Sequence, residues 1–236
     1  MRTGSLLSLA LVGLISVGPT AASHDVQEQQ KPTVKIPQAG VPQIMTLEGT
    51  YVRAAYNNEG YAIIGYRLAN LSIGEEWMLI EFGTTLRDGV PDFTMKRDAL
   101  SLETPDGKTI PLPSVDEYRQ ANLQALQNRE QVQRDSINYF PPSATRACRI
   151  GFFSDVEDRA LPWDQVELSY TRGCVGRLFF KVPGGITYGQ YWLNVKFENS
   201  LVRVPFRILT KDEEKLLSKN YKDIRQQVKD AFRKKQ

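Results

Sequence analysis

Between Thr50 and Leu209 short apolar runs alternate with polar positions and are broken repeatedly by Asn, Asp, Gly and Pro. A two-residue hydrophobic period over short segments predicts strands, and regular interruption by turn residues predicts an antiparallel all-β sandwich. Thr50–Tyr56 and Tyr61–Ala69 read as strands joined at Asn57-Asn58-Glu59-Gly60, with Ala62, Ile64, Tyr66 and Leu68 on one face. Asn70–Gly74 turns the chain into Glu76–Thr84, where Met78, Ile80 and Phe82 alternate with Trp77 and Leu79, so both faces of that strand read as covered. Ala99–Glu103 and Lys108–Leu112 flank Thr104-Pro105-Asp106-Gly107, a hairpin signal because Asp-Gly accepts the required backbone. After residue 140 the pattern resumes in Arg149–Phe153, Gln165–Tyr170, Val175–Val182, Gln190–Glu198 and Leu201–Leu209.

The last three runs read as a meander turning at Pro183-Gly184-Gly185 and Glu198-Asn199-Ser200. Strand alternation turns Leu178, Phe180, Val182, Tyr191, Leu193, Val195, Phe197, Val202, Val204, Phe206 and Ile208 inward. It turns Arg177, Phe179, Lys181, Trp192, Asn194, Lys196, Arg203, Pro205 and Arg207 outward. If the three strands are neighbours, two aromatic rings sit among five cations on one face. Such a face suits an acidic protein partner or an anionic glycan, because cationic stems lie over aromatic rings. The competing expectation is that the face is covered from within, by the inserted helix, the terminal helix or the leader. Pro205 lacks an N–H, which places its strand at a sheet edge or at a bulge.

Two stretches depart from the β period. Residues 114–138 open on Ser114 with Glu117 three positions on, a capping box, and carry a ragged apolar set of Leu123, Leu126, Val132 and Ile137. This predicts a mostly exposed helix inserted between strands. Thr210 and Glu213 form a second capping box and start a helix over 210–236, with Leu217, Tyr221, Ile224, Val228 and Phe232 on one narrow face. Leu217, Tyr221, Ile224 and Val228 are the candidate interface of a homodimer. The basic residues of this helix would also suit an acidic partner.

The N-terminus changes the setting. Arg2, the apolar run Leu6–Val17, Pro19 and Thr20-Ala21-Ala22 make a secretory signal peptide over 1–22, with an apolar run too short to span a bilayer and no Cys for lipid attachment. Residues 23–43 are polar and Pro-containing and read as a flexible or extended leader. The mature protein is then secreted or periplasmic, without a transmembrane segment. Cys148 and Cys174, the two cysteines of the chain, are expected to form a disulfide there, stabilising by roughly 3–4 kcal/mol on the chain-entropy view.

Charge and chemistry narrow the function. The formal net charge of +3 carries no footprint of nucleic-acid binding. Nine Lys and Arg against five acids in 211–236 concentrate positive charge in the tail. His24, the one histidine, lies in the leader, so no histidine-based triad and no usual zinc site can be built within the fold, and no cofactor is expected. Acidic clusters at Glu75-Glu76, Asp155-Val156-Glu157-Asp158 and Asp212-Glu213-Glu214 leave a glycan-active enzyme as the alternative. The 155–158 stretch reads as a solvated loop, or as a weak calcium loop.

Tyr61–Asn70, Thr104–Lys108 and Gly176–Pro183 together resemble the immunoglobulin-like (telokin-like) sandwich domains of bacterial secreted proteins: an Asn after an early strand, an Asp-Gly hairpin, and an aromatic strand ending in Val-Pro. The resemblance spans 45–209 with gaps. It implies a non-enzymatic binding or assembly role in the envelope and brings no catalytic residues with it.

Overall fold

The computed structural model describes residues 44–153 and 162–220. The segments expected to be a signal peptide and a leader with His24, the 155–158 cluster, and Tyr221, Ile224, Val228 and Phe232 lie outside the described residues. The chain divides into two units, Met1–Thr33 and Val34–Gln236, and every described residue belongs to the second.

The described fold is mainly β. In chain order its strands are β1 Ile44–Leu47, β2 Val52–Tyr56, β3 Gly60–Gly65, β4 Trp77–Leu86, β5 Phe93–Lys96, β6 Leu100–Glu103, β7 Thr109–Pro111, β8 Arg146–Ile150, β9 Gln165–Leu168, β10 Arg172–Lys181, β11 Gly189–Lys196 and β12 Leu201–Ile208. The helices are α1 Arg67–Leu71, α2 Val115–Gln120 and α3 Gln124–Val132, and a further helix, α4, occupies 211–220. A first sheet has the order β1-β2-β3-β4-β10-β8, a second β12-β11-β6-β7, and β5 pairs with β9.

The two larger sheets share one core. Phe82, Ile64 and Leu178 of the first and Tyr191, Leu193 and Phe206 of the second belong to the same buried cluster. Every position of β11 and β12 that alternation turned inward is buried, from Tyr191 to Ile208. β4 is buried from Met78 to Leu86 on both faces, as its continuous apolar run required. The turn before β3 is pinned to the turn before β12. Glu59 is buried, and its carboxylate accepts from Asn199 N at 3.0 Å and from Ser200 Oγ at 2.5 Å, while Asn57 Nδ2 donates to Ser200 Oγ at 2.8 Å. The Asp106-Gly107 turn joins β6 to β7 as expected. β12 with Pro205 is a sheet edge. Cys148 and Cys174 sit opposite one another on β8 and β10 and are bonded.

Three expectations are corrected. First, the last three strands are not a meander. β10 belongs to the first sheet and pairs with β4 and β8, while β11 and β12 form the second sheet with β6. Pro183-Gly184-Gly185 is therefore a crossing between sheets. Gly185 has φ +86°, and a Cβ there would lie 2.7 Å from the Gly74 carbonyl oxygen, so only glycine lets the chain pass this close to the α1–β4 connection. Second, the β8–β10 pair is parallel rather than antiparallel, because the chain makes the long excursion 151–171 before returning. Third, the 114–138 insertion is two short helices, and it is not mostly exposed. Tyr118, Leu123, Leu126, Gln127, Glu130 and Ile137 are buried. Sequence periodicity underestimated this burial because half of the contact face is polar. Gln127 Nε2 donates to Tyr118 Oη at 2.5 Å, and Glu130 pairs with Arg177. The second capping box forms in both directions, Thr210 N donating to Glu213 Oε2 at 2.9 Å and Glu213 N to Thr210 Oγ1 at 3.3 Å, and at the first Ser114 caps its helix by accepting from Glu117 N at 3.1 Å.

Candidate functional site

The seven residues expected to share one binding face fall on two sheets. On β11 and β12, alternation holds. Trp192 and Pro205 are cross-strand partners, and Asn194 and Arg203 are the next outward pair. Trp192 is half-buried with the Arg203 guanidinium 4.7 Å above its ring. Arg203 donates to Asn194 Oδ1 at 3.1 Å and to Glu103 Oε2 at 2.6 Å. That ion pair is partly exposed at both ends and is worth about 1 kcal/mol or less. Lys196 and Arg207 are exposed, and Arg207 is turned to Glu213 of α4 at 2.8 Å. Of the expected face, Trp192, Lys196, Arg203 and Arg207 remain together.

On β10 the outward set is covered, and the cover is the insertion. Phe179 is 1 % exposed, so it is a core residue and not a ligand-facing one. Its ring lies 5.0 Å from Tyr118 of α2 and 5.2 Å from Phe153, in tilted and edge geometry. Lys181 is half-exposed and reaches Glu117 at 3.4 Å. Arg177 reaches Glu130 of α3 at 3.0 Å. An aromatic position on a strand reads identically from sequence whether water or a helix lies over it, which is why the pattern could not separate Phe179 from Trp192. Leu217 of α4, expected at a dimer interface, is half-buried and packs against the chain's own core.

A groove that sequence reasoning did not find runs along β8 and β10. It consists of two adjoining cavities of about 500 and 710 Å³ that share Arg134, Ala147 and Val175. Arg149 and Arg177 line the first and Arg146 the second. Four guanidinium groups thus come from three places: Arg134 from the end of the insertion, Arg146 and Arg149 from β8, and Arg177 from β10. The one carboxylate in the lining is Asp135, and both of its oxygens accept from Arg67. β8 is the edge of its sheet. Arg146 and Arg149 stand at odd spacing on that strand, so they point to opposite faces and form no stripe in the sequence.

Beneath the groove lies a cluster of buried acids. Glu81 on β4 has Gly65 and Arg177 as its cross-strand neighbours. Its Oε1 accepts from Asp135 N at 3.0 Å, and its Oε2 is buried without a hydrogen bond. Burial pushes the Glu81 carboxyl up to about 8, with the Asp135 and Glu130 charges adding to the rise, so it holds its proton at neutral pH. Burial also raises Asp135, against the pull of Arg67. Glu130 is 1 % exposed, and Arg177 and Arg134 lie 3.0 and 3.6 Å from its carboxylate. Among the described residues no group of three or more His, Cys, Asp or Glu is placed to hold a metal ion, and no helix is long and apolar enough to cross a membrane.

No family model, no curated protein and no solved structure matches this chain.

Proposed function

We propose that the protein is a non-enzymatic binding or assembly component of the bacterial envelope, secreted or periplasmic, whose partner presents an acidic segment to the β8–β10 groove. The observation that carries this reading is the lining of two adjoining cavities along the β8 edge, the first by Arg134, Arg149 and Arg177 and the second by Arg134 and Arg146, with Arg134 and Arg177 also held against Glu130. Guanidinium groups recognise carboxylates with paired, directional donors, and several of them along a groove suit an extended acidic chain better than a point anion. The position of β8 at a sheet edge supports the same geometry. The Cys148–Cys174 disulfide fits an oxidising compartment, and the single histidine at position 24 leaves no imidazole for catalysis within 44–236. In this reading the two sheets are the layers of an immunoglobulin-like sandwich with one parallel edge pair.

The test is calorimetric titration of the mature protein with an acidic peptide and, separately, with a sulfated oligosaccharide. The R146A/R149A double variant should lose at least tenfold in affinity for the peptide while W192A keeps it. Equal binding by the double variant and the parent would refute the groove. A second reading keeps Trp192 with Arg203 as the binding surface for an anionic glycan, favoured by the half-buried indole stacked on a cation at the sheet face. Its signature is loss of oligosaccharide binding in W192A alone.

A further inference from the structure

We propose that Glu81 is a proton-dependent latch. Protonated, it holds the 130–137 segment down on the first sheet; ionised, it releases that segment and reshapes the groove wall. The inference does not depend on what the groove binds.

The geometry leaves the carboxyl closed in. Glu81 projects from the central strand of the first sheet, flanked in register by Gly65 on β3 and Arg177 on β10. The end of the insertion lies over it. A Cβ at Gly65 would stand 2.9 Å from Glu81 Oε2, 2.7 Å from Asp135 Cβ and 3.1 Å from Ile137 Cγ2, so the absence of a side chain at Gly65 makes the space for both acids.

Charge decides what happens when the proton leaves. The groups facing Glu81 are Asp135, Glu130 and Arg134 from the insertion, Arg177 from β10, and Arg67 beyond Asp135. Arg67 donates to both Asp135 oxygens. Arg177 and Arg134 lie against Glu130. Among the described residues no cation comes within ion-pair distance of Glu81, and its sole hydrogen bond is the Asp135 amide. A neutral carboxyl is tolerable in that setting. An ionised one adds a third negative charge to a dry site where its neighbours' cations already face other carboxylates. The least costly escape is to lift residues 130–137 and admit water. Four of those residues, Arg134, Asp135, Ser136 and Ile137, are groove wall. The direction of the Glu81 shift, upward into the neutral range, agrees with this reading.

Hydrogen–deuterium exchange on the full chain from pH 6 to 10 tests it, with rates corrected for intrinsic exchange. Protection of peptides covering 130–137 should fall by about tenfold per pH unit from pH 6 up to about 8 and level off above it. Peptides from β11 and β12 should hold theirs. In Glu81→Gln, which keeps the acceptor for the Asp135 amide and cannot ionise, the 130–137 protection should be flat. A flat profile in the parent, or the same decline in Glu81→Gln, would overturn the latch. Because the variant could fail to fold, carbon-13 NMR of the Glu81 carboxyl in the parent provides an independent reading. A midpoint near 8 supports the proposal, and one in the ordinary carboxylate range below 5 overturns it.

Discussion

Phe179→Ala separates a structural ring from a binding one. The side chain is 1 % exposed and is gripped between Tyr118 and Phe153, at 5.0 and 5.2 Å. Truncating a buried Phe removes its transfer free energy and leaves a cavity, about 3–5 kcal/mol together. Collapse around the void is limited here, because the three rings come from separate elements: β10, α2 and the stretch after β8. The upper half of that range is therefore expected, with up to about 1 kcal/mol of it from each lost aromatic pair. For a domain of this size, 1 kcal/mol moves the melting temperature by about 2–4 °C, so the fall should be about 8–20 °C. Urea unfolding followed by tryptophan fluorescence, with calorimetry beside it, provides both numbers. The matched control is Trp192→Ala, whose half-buried ring stacks on Arg203 and should cost about 1 kcal/mol or less. A loss below 1 kcal/mol in Phe179→Ala would refute the account of α2 as a packed cover.

Reduction of Cys148–Cys174, or its double Ser replacement, should cost about 3–4 kcal/mol, measured by urea midpoint at unchanged slope. Stability should fall as pH rises. The folded-state pKa of Glu81 is above its unfolded value of 4.5, so the native chain holds a proton the unfolded chain gives up, and the loss runs from pH 4.5 to about 8. Chemical denaturation at a series of pH values would show this slope, and Glu81→Gln should flatten it; an unchanged slope refutes the assignment. Ending the chain at Thr210 should lower stability, since Leu217 packs on the core, and light-scattering mass beside the full chain tests the dimer directly: equal masses exclude α4 as its interface.

Strands with a clean period of two were legible. β11 and β12 could be placed, with face and edge, from alternation and Pro205 alone. What failed was pairing. Nothing local tells Val175–Val182 that its neighbours are β4 and β8, because a glycine turn and a glycine crossing look alike until the Gly185–Gly74 approach is seen. Tyr61–Ala69 read as one strand because its apolar residues kept alternating, yet the chain leaves the sheet at Gly65 and starts α1, and Tyr66 and Leu68 are buried from a helical stretch. The strands β1 and β5 are four residues each, too short to register a period. The insertion misled for a different reason: its contact face is built from Tyr118, Gln127 and Glu130, which a hydrophobic count scores as solvent-facing. The arginine groove was invisible in the same way. Its cations come from the end of the insertion, from β8 and from β10, and only the parallel pairing of β8 with β10 brings these segments together.

That parallel pairing also sets a sequence of events. β1 to β4 are joined by near-neighbour antiparallel contacts and can assemble from local hairpins. β10 must find β4 across some ninety residues, and β8 has no strand partner but β10. Cys148 and Cys174, by contrast, lie only 26 residues apart, so the β8–β10 pair can close before β10 reaches β4. Oxidation then ties these two strands together while the longer search is still under way, and the rate of thiol loss during refolding becomes a clock for that earlier step.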